Sequence, residues 1–182
     1  PLYNDVVTAL ADTKFKDVLV YGGRYGLGSK DVQPGDILAV FENMWEDKIN
    51  AKKEFTISIN DDVTHLSLTP SEYPDTQPSG VTACKFWGLG ADGTVGANKN
   101  SVKIIGDHTE KKVQAYFQYD SKKSGGVTIS HLRFGDRPIK STYYIKQADF
   151  VACHNSAYLK KYDMVEDVQP GGTFLLNCVW DD

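Results

Sequence analysis

Two glycine-rich stretches hold the residue types in this chain that could do chemistry. The first, Gly22-Gly23-Arg24-Tyr25-Gly26-Leu27-Gly28-Ser29-Lys30, sets the cations Arg24 and Lys30 beside bare amides, a pattern suited to a phosphate or pyrophosphate cradle. The second, Phe86-Trp87-Gly88-Leu89-Gly90-Ala91-Asp92-Gly93-Thr94-Val95-Gly96-Ala97-Asn98-Lys99, follows an apolar run and has GxGxxG spacing at Gly88, Gly90 and Gly93. Absent side chains there let a ligand or a second backbone come close, and a helix starting just beyond would aim free amides at an anion. The same spacing arises wherever a strand turns tightly into a helix, so a nucleotide site and a packing device both stay open. A nicotinamide site would also want an acid about 20 residues on, at the end of the next strand. Asp120 lies further along than that, and Ser121-Lys122-Lys123 behind it suits a phosphate instead.

The remaining candidates are isolated. Lys52-Lys53 is the kind of pair that ordinarily forms a solvated face, and Asn155 could cap a short helix or reach a ligand. His65, His108, His131 and His154 lack metal-ligand spacing, and no Ser or Cys with a nearby His forms a catalytic set. Cys84, Cys153 and Cys178 sit in apolar runs without C-x-x-C and read as small buried side chains.

The elements that must position these residues follow from periodicity. Helices are expected over 5–11 and over 34–45, the latter with Pro34 at a first helical position and Ile37, Leu38, Val40, Phe41 and Met44 at helical spacing. A further helix is expected over 98–106, and a short one over 156–162. Strands are expected over 17–21, 55–59, 81–87, 113–119, 127–134, 149–153 and 173–179, with Pro70, Pro74 and Pro78 excluding regular structure before about Gly80. The alternation predicts an α/β class with a mixed, largely parallel sheet, flanking helices and a Rossmann-like three-layer build. Gly22, Gly88 and His154 would then lie along one carboxyl edge of the sheet, where ligands of such folds sit.

A chain of 182 residues suits one compact unit, and its net charge of −4 argues against a nucleic-acid binder. Neither a membrane-spanning run nor a signal-peptide pattern is present, so a cytoplasmic setting is expected. Pro1 at the start and the abrupt end after Trp180-Asp181-Asp182 suggest a piece of a longer protein.

Five segments together carry a resemblance. Gly22-Gly23-Arg24-Tyr25-Gly26-Leu27 of the first glycine stretch, the whole of the second, Tyr119-Asp120-Ser121-Lys122-Lys123-Ser124-Gly125-Gly126-Val127-Thr128, Ser130-His131-Leu132-Arg133-Phe134-Gly135 and Gly172-Thr173-Phe174-Leu175-Leu176-Asn177 closely resemble the gamma-type module of the pyruvate:ferredoxin (flavodoxin) oxidoreductases, across essentially the whole chain. The resemblance implies an enzyme that decarboxylates pyruvate on thiamine diphosphate with Mg2+. Electrons then pass singly through 4Fe-4S clusters to ferredoxin or flavodoxin, and the acetyl group goes to coenzyme A. It implies that residues 1–182 form the single module that holds coenzyme A, with the other cofactors in other domains of a homodimeric enzyme. Carried over residue by residue, it assigns coenzyme A contact to Gly22, Gly23, Arg24, Tyr25, Gly26 and Leu27, to one of Lys52 and Lys53, and to Asn155, with no catalytic or metal-ligating residue. The Gly88 loop is expected to pack backbone-close on a neighbouring domain or on the pantetheine arm, with Asp92 and Asn98 holding the turn. Two rivals are a nicotinamide-dependent dehydrogenase using the Gly88 loop and a packing module that binds nothing small.

Overall fold

The chain divides into two units, Pro1–Asp75 and Thr76–Asp182, in a computed structural model that describes residues 2–27, 30–61, 63–120 and 126–180. The first unit contains helix α1 (Leu2–Ala11), strand β1 (Gly22–Arg24), helix α2 (Pro34–Trp45) and strand β2 (Glu54–Thr56). β1 and β2 pair in parallel, with Gly22 opposite Glu54 and Arg24 opposite Thr56. The apolar run 17–21 is not the strand its composition predicts. It has no ladder partner, the ladder starts at Gly22, and Val18 and Leu19 stay exposed. β2 likewise ends at Thr56 instead of 59, because Ser58 takes a left-handed φ of 56° that a pleated strand cannot continue through.

α2 keeps its expected bounds but turns the opposite face inward. Its buried residues are Gly35, Asp36, Ala39 and Asn43, while Ile37, Phe41, Met44 and Trp45 face solvent. Four anchors hold this orientation. The Asp36 carboxylate accepts from the Gln33 amide at 2.8 Å, and Asn43 exchanges two hydrogen bonds with the Lys52 backbone at 2.8 and 2.9 Å. Ser71 donates to Glu42, and Gly35 lies so close to the backbone of Glu72 that a Cβ would meet its carbonyl oxygen at 2.5 Å.

The second unit is a five-stranded mixed sheet of order β4-β5-β3-β6-β7, formed by β3 (Val81–Leu89), β4 (Lys112–Tyr119), β5 (Val127–Gly135), β6 (Ala148–Cys153) and β7 (Val168–Leu176). β3, β6 and β7 run parallel, and β5 is antiparallel to both β3 and β4. Helix α3 (Thr94–His108) packs on the face carrying Gly88. The opposite face buries Ala83, Trp87, Ile129, Val151 and Cys153 against Ile145, Tyr158 and Met164. The covering there is a strap, 141–145, and two 3-10 turns (Ser156–Lys160 and Val165–Asp167), where the sequence suggests a regular helix over 156–162. The class is therefore α/β with a mixed sheet and flanking helical elements, as expected. No helix among the described residues is long and apolar enough to cross a membrane.

The last strand begins earlier than its glycines suggest. Gly171-Gly172 lies inside β7 as a bulge: Val168 pairs with Ala148 and Thr173 with Phe150, so five steps on one strand match two on the other. Gly171 takes φ 83°, and a Cβ on Gly172 would meet the Gln169 and Ala148 carbonyls at 2.9 and 3.0 Å.

Sheet side chains hold the strap from beneath. Arg133, 5% exposed, donates to Gln77, Gln114 and the carbonyls of Thr142, Tyr143 and Tyr144 at 2.8–3.2 Å. Next to it on β5, His131 Nδ1 accepts from the Ile145 amide at 3.1 Å.

That bond makes His131 a structural histidine and gives a pH dependence. Burial, with the nearby Lys85 and Arg133 charges, pushes its pKa from 6.5 down to about 3. A depressed histidine pKa means that the unfolded chain takes up the proton first. The stabilisation is complete above pH 6.5 and is lost as pH falls toward 3, at about 1.4 kcal/mol per unit. Urea unfolding at stepped pH should show this slope, and His131→Gln should flatten it; an equal slope in both chains would mean another group is responsible.

Candidate functional site

β1 delivers Arg24 and the rest of the first glycine loop to the surface of the first unit. Gly22 and Gly23 are explained by packing: a Cβ on Gly22 would touch the Tyr3 ring at 3.1 Å, and one on Gly23 would meet the Phe55 ring at 2.7 Å. Gly26 has φ 73° and nothing within 4 Å, so it serves the turn itself. Arg24, Tyr25 and Leu27 are exposed, and the Arg24 guanidinium has no hydrogen-bond or ion-pair partner among the described residues. Gly28 and Ser29 lie outside the described residues, as do Ser121, Lys122 and Lys123.

The two neighbouring lysines separate clearly. Lys52 spends its ammonium on the carbonyls of His65 and Ser67 at 2.8 and 2.9 Å, tying the 57–67 loop to β2. Lys53 is exposed, and its carbonyl accepts the Gly22 amide at 2.9 Å, which sets it against the start of the glycine loop. Lys53 lines a cleft of about 280 Å³ together with Lys16, Lys48 and the acidic Asp17, walled by Tyr3, Val7 and Leu10. The structure brings the Gly22 loop and Lys53 together within one unit.

In the second unit, Gly88 and His154 end the parallel neighbours β3 and β6, and the His154 amide donates to the Trp87 carbonyl at 2.9 Å. These two residues share the expected carboxyl edge. Gly22 does not belong to it, since Gly22 opens β1 in the other sheet. The Gly88 loop is closed by its own side chains. Asp92 accepts from the Leu89 and Thr94 amides at 2.7 and 2.8 Å, and Thr94 Oγ1 bonds His154 Nδ1 at 2.8 Å. Burial raises the Asp92 pKa, but those amide bonds outweigh it and hold the carboxyl below the ordinary aspartate value. Two amides that a bound phosphate could use are thus already taken by a carboxylate. Asn98 does not hold the turn as expected: it is buried one helical turn further into α3, with its Nδ2 unpartnered.

Asn155 caps the first 3-10 turn, its Oδ1 accepting from the Ala157 amide at 3.0 Å. Its Nδ2 makes no hydrogen bond among the described residues. The cap and a ligand contact are thus compatible, one for each end of the amide. Burial, with the Asp149 charge, pushes the Cys84 thiol up to about 11, and burial also raises Cys153.

Comparison with known proteins bears on what these sites serve. The family model for pyruvate ferredoxin/flavodoxin oxidoreductase matches residues 83–182. The chain belongs to that family. It is 59% identical over 180 residues to the pyruvate:ferredoxin oxidoreductase of Moorella thermoacetica and 56% identical over 182 residues to the pyruvate-flavodoxin oxidoreductase of Enterobacter agglomerans. These alignments cover 99% and 100% of this chain but 15% of each relative. A pyruvate dehydrogenase (NADP+) of Euglena gracilis is 50% identical over 182 residues, covering 99% of this chain and 10% of that protein. In this oxidoreductase-family chain, Lys16 and Lys48 are cleft-lining cations that sequence reasoning missed. They stand 37 and 5 residues from Lys53 in the chain, and no local spacing marks their meeting in one cleft.

Proposed function

We propose that residues 1–182 are the coenzyme A-holding, gamma-type module of a pyruvate:ferredoxin (flavodoxin) oxidoreductase. The enzyme as a whole converts pyruvate and coenzyme A to acetyl-CoA and CO2, releasing two electrons one at a time. Thiamine diphosphate, Mg2+ and the 4Fe-4S clusters belong to its other domains, and the intact enzyme is a homodimer. Relatives named for ferredoxin, flavodoxin and NADP+ share this segment, so the electron acceptor is selected elsewhere.

The observation that carries the reading is the placing of exposed Arg24 and exposed Lys53 at the two ends of one short β-ladder, with Lys16 and Lys48 beside Lys53. Coenzyme A is a polyanion with an apolar arm. Cations around a cleft with aliphatic and aromatic walls meet both halves of it. The family resemblance also assigns a contact to Asn155, whose Nδ2 makes no hydrogen bond among the described residues. Holding the thiol in place is this module's share of catalysis, since orientation replaces a bimolecular encounter.

In the intact enzyme, Arg24→Ala and Lys53→Ala should each raise KM for coenzyme A about tenfold, the worth of one charge-assisted hydrogen bond. The decarboxylation of pyruvate that precedes coenzyme A should be unchanged. Lys52→Ala should lower Tm and leave that KM alone. If neither Arg24→Ala nor Lys53→Ala moves the KM, the packing-only reading stands, which the tight seating of Gly22 and Gly23 against Tyr3 and Phe55 also favours.

A further inference from the structure

α2 carries its large apolar residues on the outside. Ile37, Phe41 and Met44 are each nearly half exposed, Trp45 is 79% exposed, and Ile49 just beyond is 95% exposed. The spacing 37-41-44-45 makes one stripe, and Phe41 and Trp45 already touch, with ring centroids 5.9 Å apart. The orientation is enforced from within by Asp36, Asn43, Glu42 and the close approach at Gly35. Rotating the stripe inward would strand Asn43 and the Lys52 backbone without partners and drive Gly35 off the Glu72 carbonyl. A contiguous apolar face held outward by a polar inner face marks a docking surface.

We infer that this face of α2 docks on an apolar surface of another domain of the same polypeptide, from the part of the enzyme outside residues 1–182. Two arguments select that occupant. The chain covers only 15% of relatives to which it is 56–59% identical end to end, so on the reading proposed above of one module in a larger enzyme, on which this inference rests, the segment folds amid a much larger body of the same chain. The face is also small. Twelve helical residues span about 18 Å, and one side of such a helix falls short of the roughly 800 Å² per partner that separate chains need for stable association. A covalently linked domain binds at high effective concentration and needs less area. The inference is independent of the coenzyme A reading, since the exposed stripe and the Gly22 loop share no residue.

The test places a photo-crosslinking amino acid at position 45 of the intact enzyme, assembled from isotopically light and heavy chains, and follows Met44 oxidation in unmodified enzyme. The expected result is crosslinks to apolar residues outside 1–182 within one isotopic chain, and Met44 oxidising several-fold more slowly than in the unfolded enzyme. Crosslinks joining light to heavy chains would assign the face to a second copy, and crosslinks within 1–182 to the chain's own second unit; either overturns the inference. So does a bare face, with no crosslink and Met44 oxidising at the unfolded rate. A Phe41→Ser/Trp45→Ser variant leaves the inner anchors of α2 intact and should speed proteolytic separation of the module from the rest of the enzyme. Unchanged cleavage would overturn the inference as well.

Discussion

Gly88→Ala is expected to cost about 3 kcal/mol or more of the second unit's stability, whereas Gly90→Ala, two residues along the same loop, should cost well under about 1 kcal/mol. A Cβ on Gly88 would lie 2.3 Å from Thr94 Oγ1 and 2.5 Å from Thr94 Cβ. The second distance decides the outcome, because a rotamer change cannot move Cβ. Thr94 is 3% exposed and begins α3, so relief requires the helix to lift off the sheet. That movement would pull on the two amides held by Asp92 and on the Thr94–His154 bond. A Cβ on Gly90 would come no nearer than 3.5 Å to the Gly126 carbonyl, an ordinary contact, and its φ is not in the left-handed region. Urea unfolding of the two variants measures the difference. Equal losses would mean that the loop's sensitivity comes from an outside partner near Gly90 and not from the packing of α3 on β3.

The second large effect is expected at Arg133. Replacing it with Met should remove about 3–5 kcal/mol, because hydrogen bonds from a buried charged donor contribute roughly 1.5–3 kcal/mol each and those sharing one guanidinium do not add in full. The guanidinium reaches Gln77, Gln114 and three successive carbonyls, Thr142 to Tyr144, and the Tyr144 carbonyl adjoins Ile145, which is 1% exposed. Lys should recover little, since an ammonium cannot span this set as a planar fork does. The strap should loosen before the sheet does, so amide exchange at Ile145 ought to accelerate more than exchange in β3. A variant that unfolds within about 0.5 kcal/mol of the unaltered chain, the range of ordinary surface changes, would show that the strap is held by its apolar contacts alone.

Both effects bear on what could be read in advance. The Gly88 motif was conspicuous in the sequence, and its place between a strand and a helix was legible, although the strand runs on to Leu89 and the helix starts at Thr94, four residues before its expected start. Which glycine carries the strain was not, because the deciding contact belongs to the Thr94 side chain lying back over Gly88. Arg133 sat in a segment noted only as an expected strand and as part of the resemblance. Its partners at 77, 114 and 142–144 come from three separate parts of the chain, and no window of residues joins them. The strand expected over 17–21 failed for the related reason that an apolar run becomes a strand only beside a partner, and the ladder starts at Gly22.

Determined by the sequence itself were the properties that local spacing encodes: α2 from Pro34 to Trp45, the runs that became β3 to β6, the mixed α/β class, and membership of an oxidoreductase family through long ordered agreement. Helical and strand periods are set within a few residues, where chain connectivity already holds the interacting groups together. The tertiary structure alone decided that Lys52 is a tether and Lys53 exposed, and that α2 turns its apolar stripe outward. Each of these depends on groups brought together from distant positions, or on which of two chemically similar neighbours faces a carbonyl. Such choices are made by the packing of whole elements.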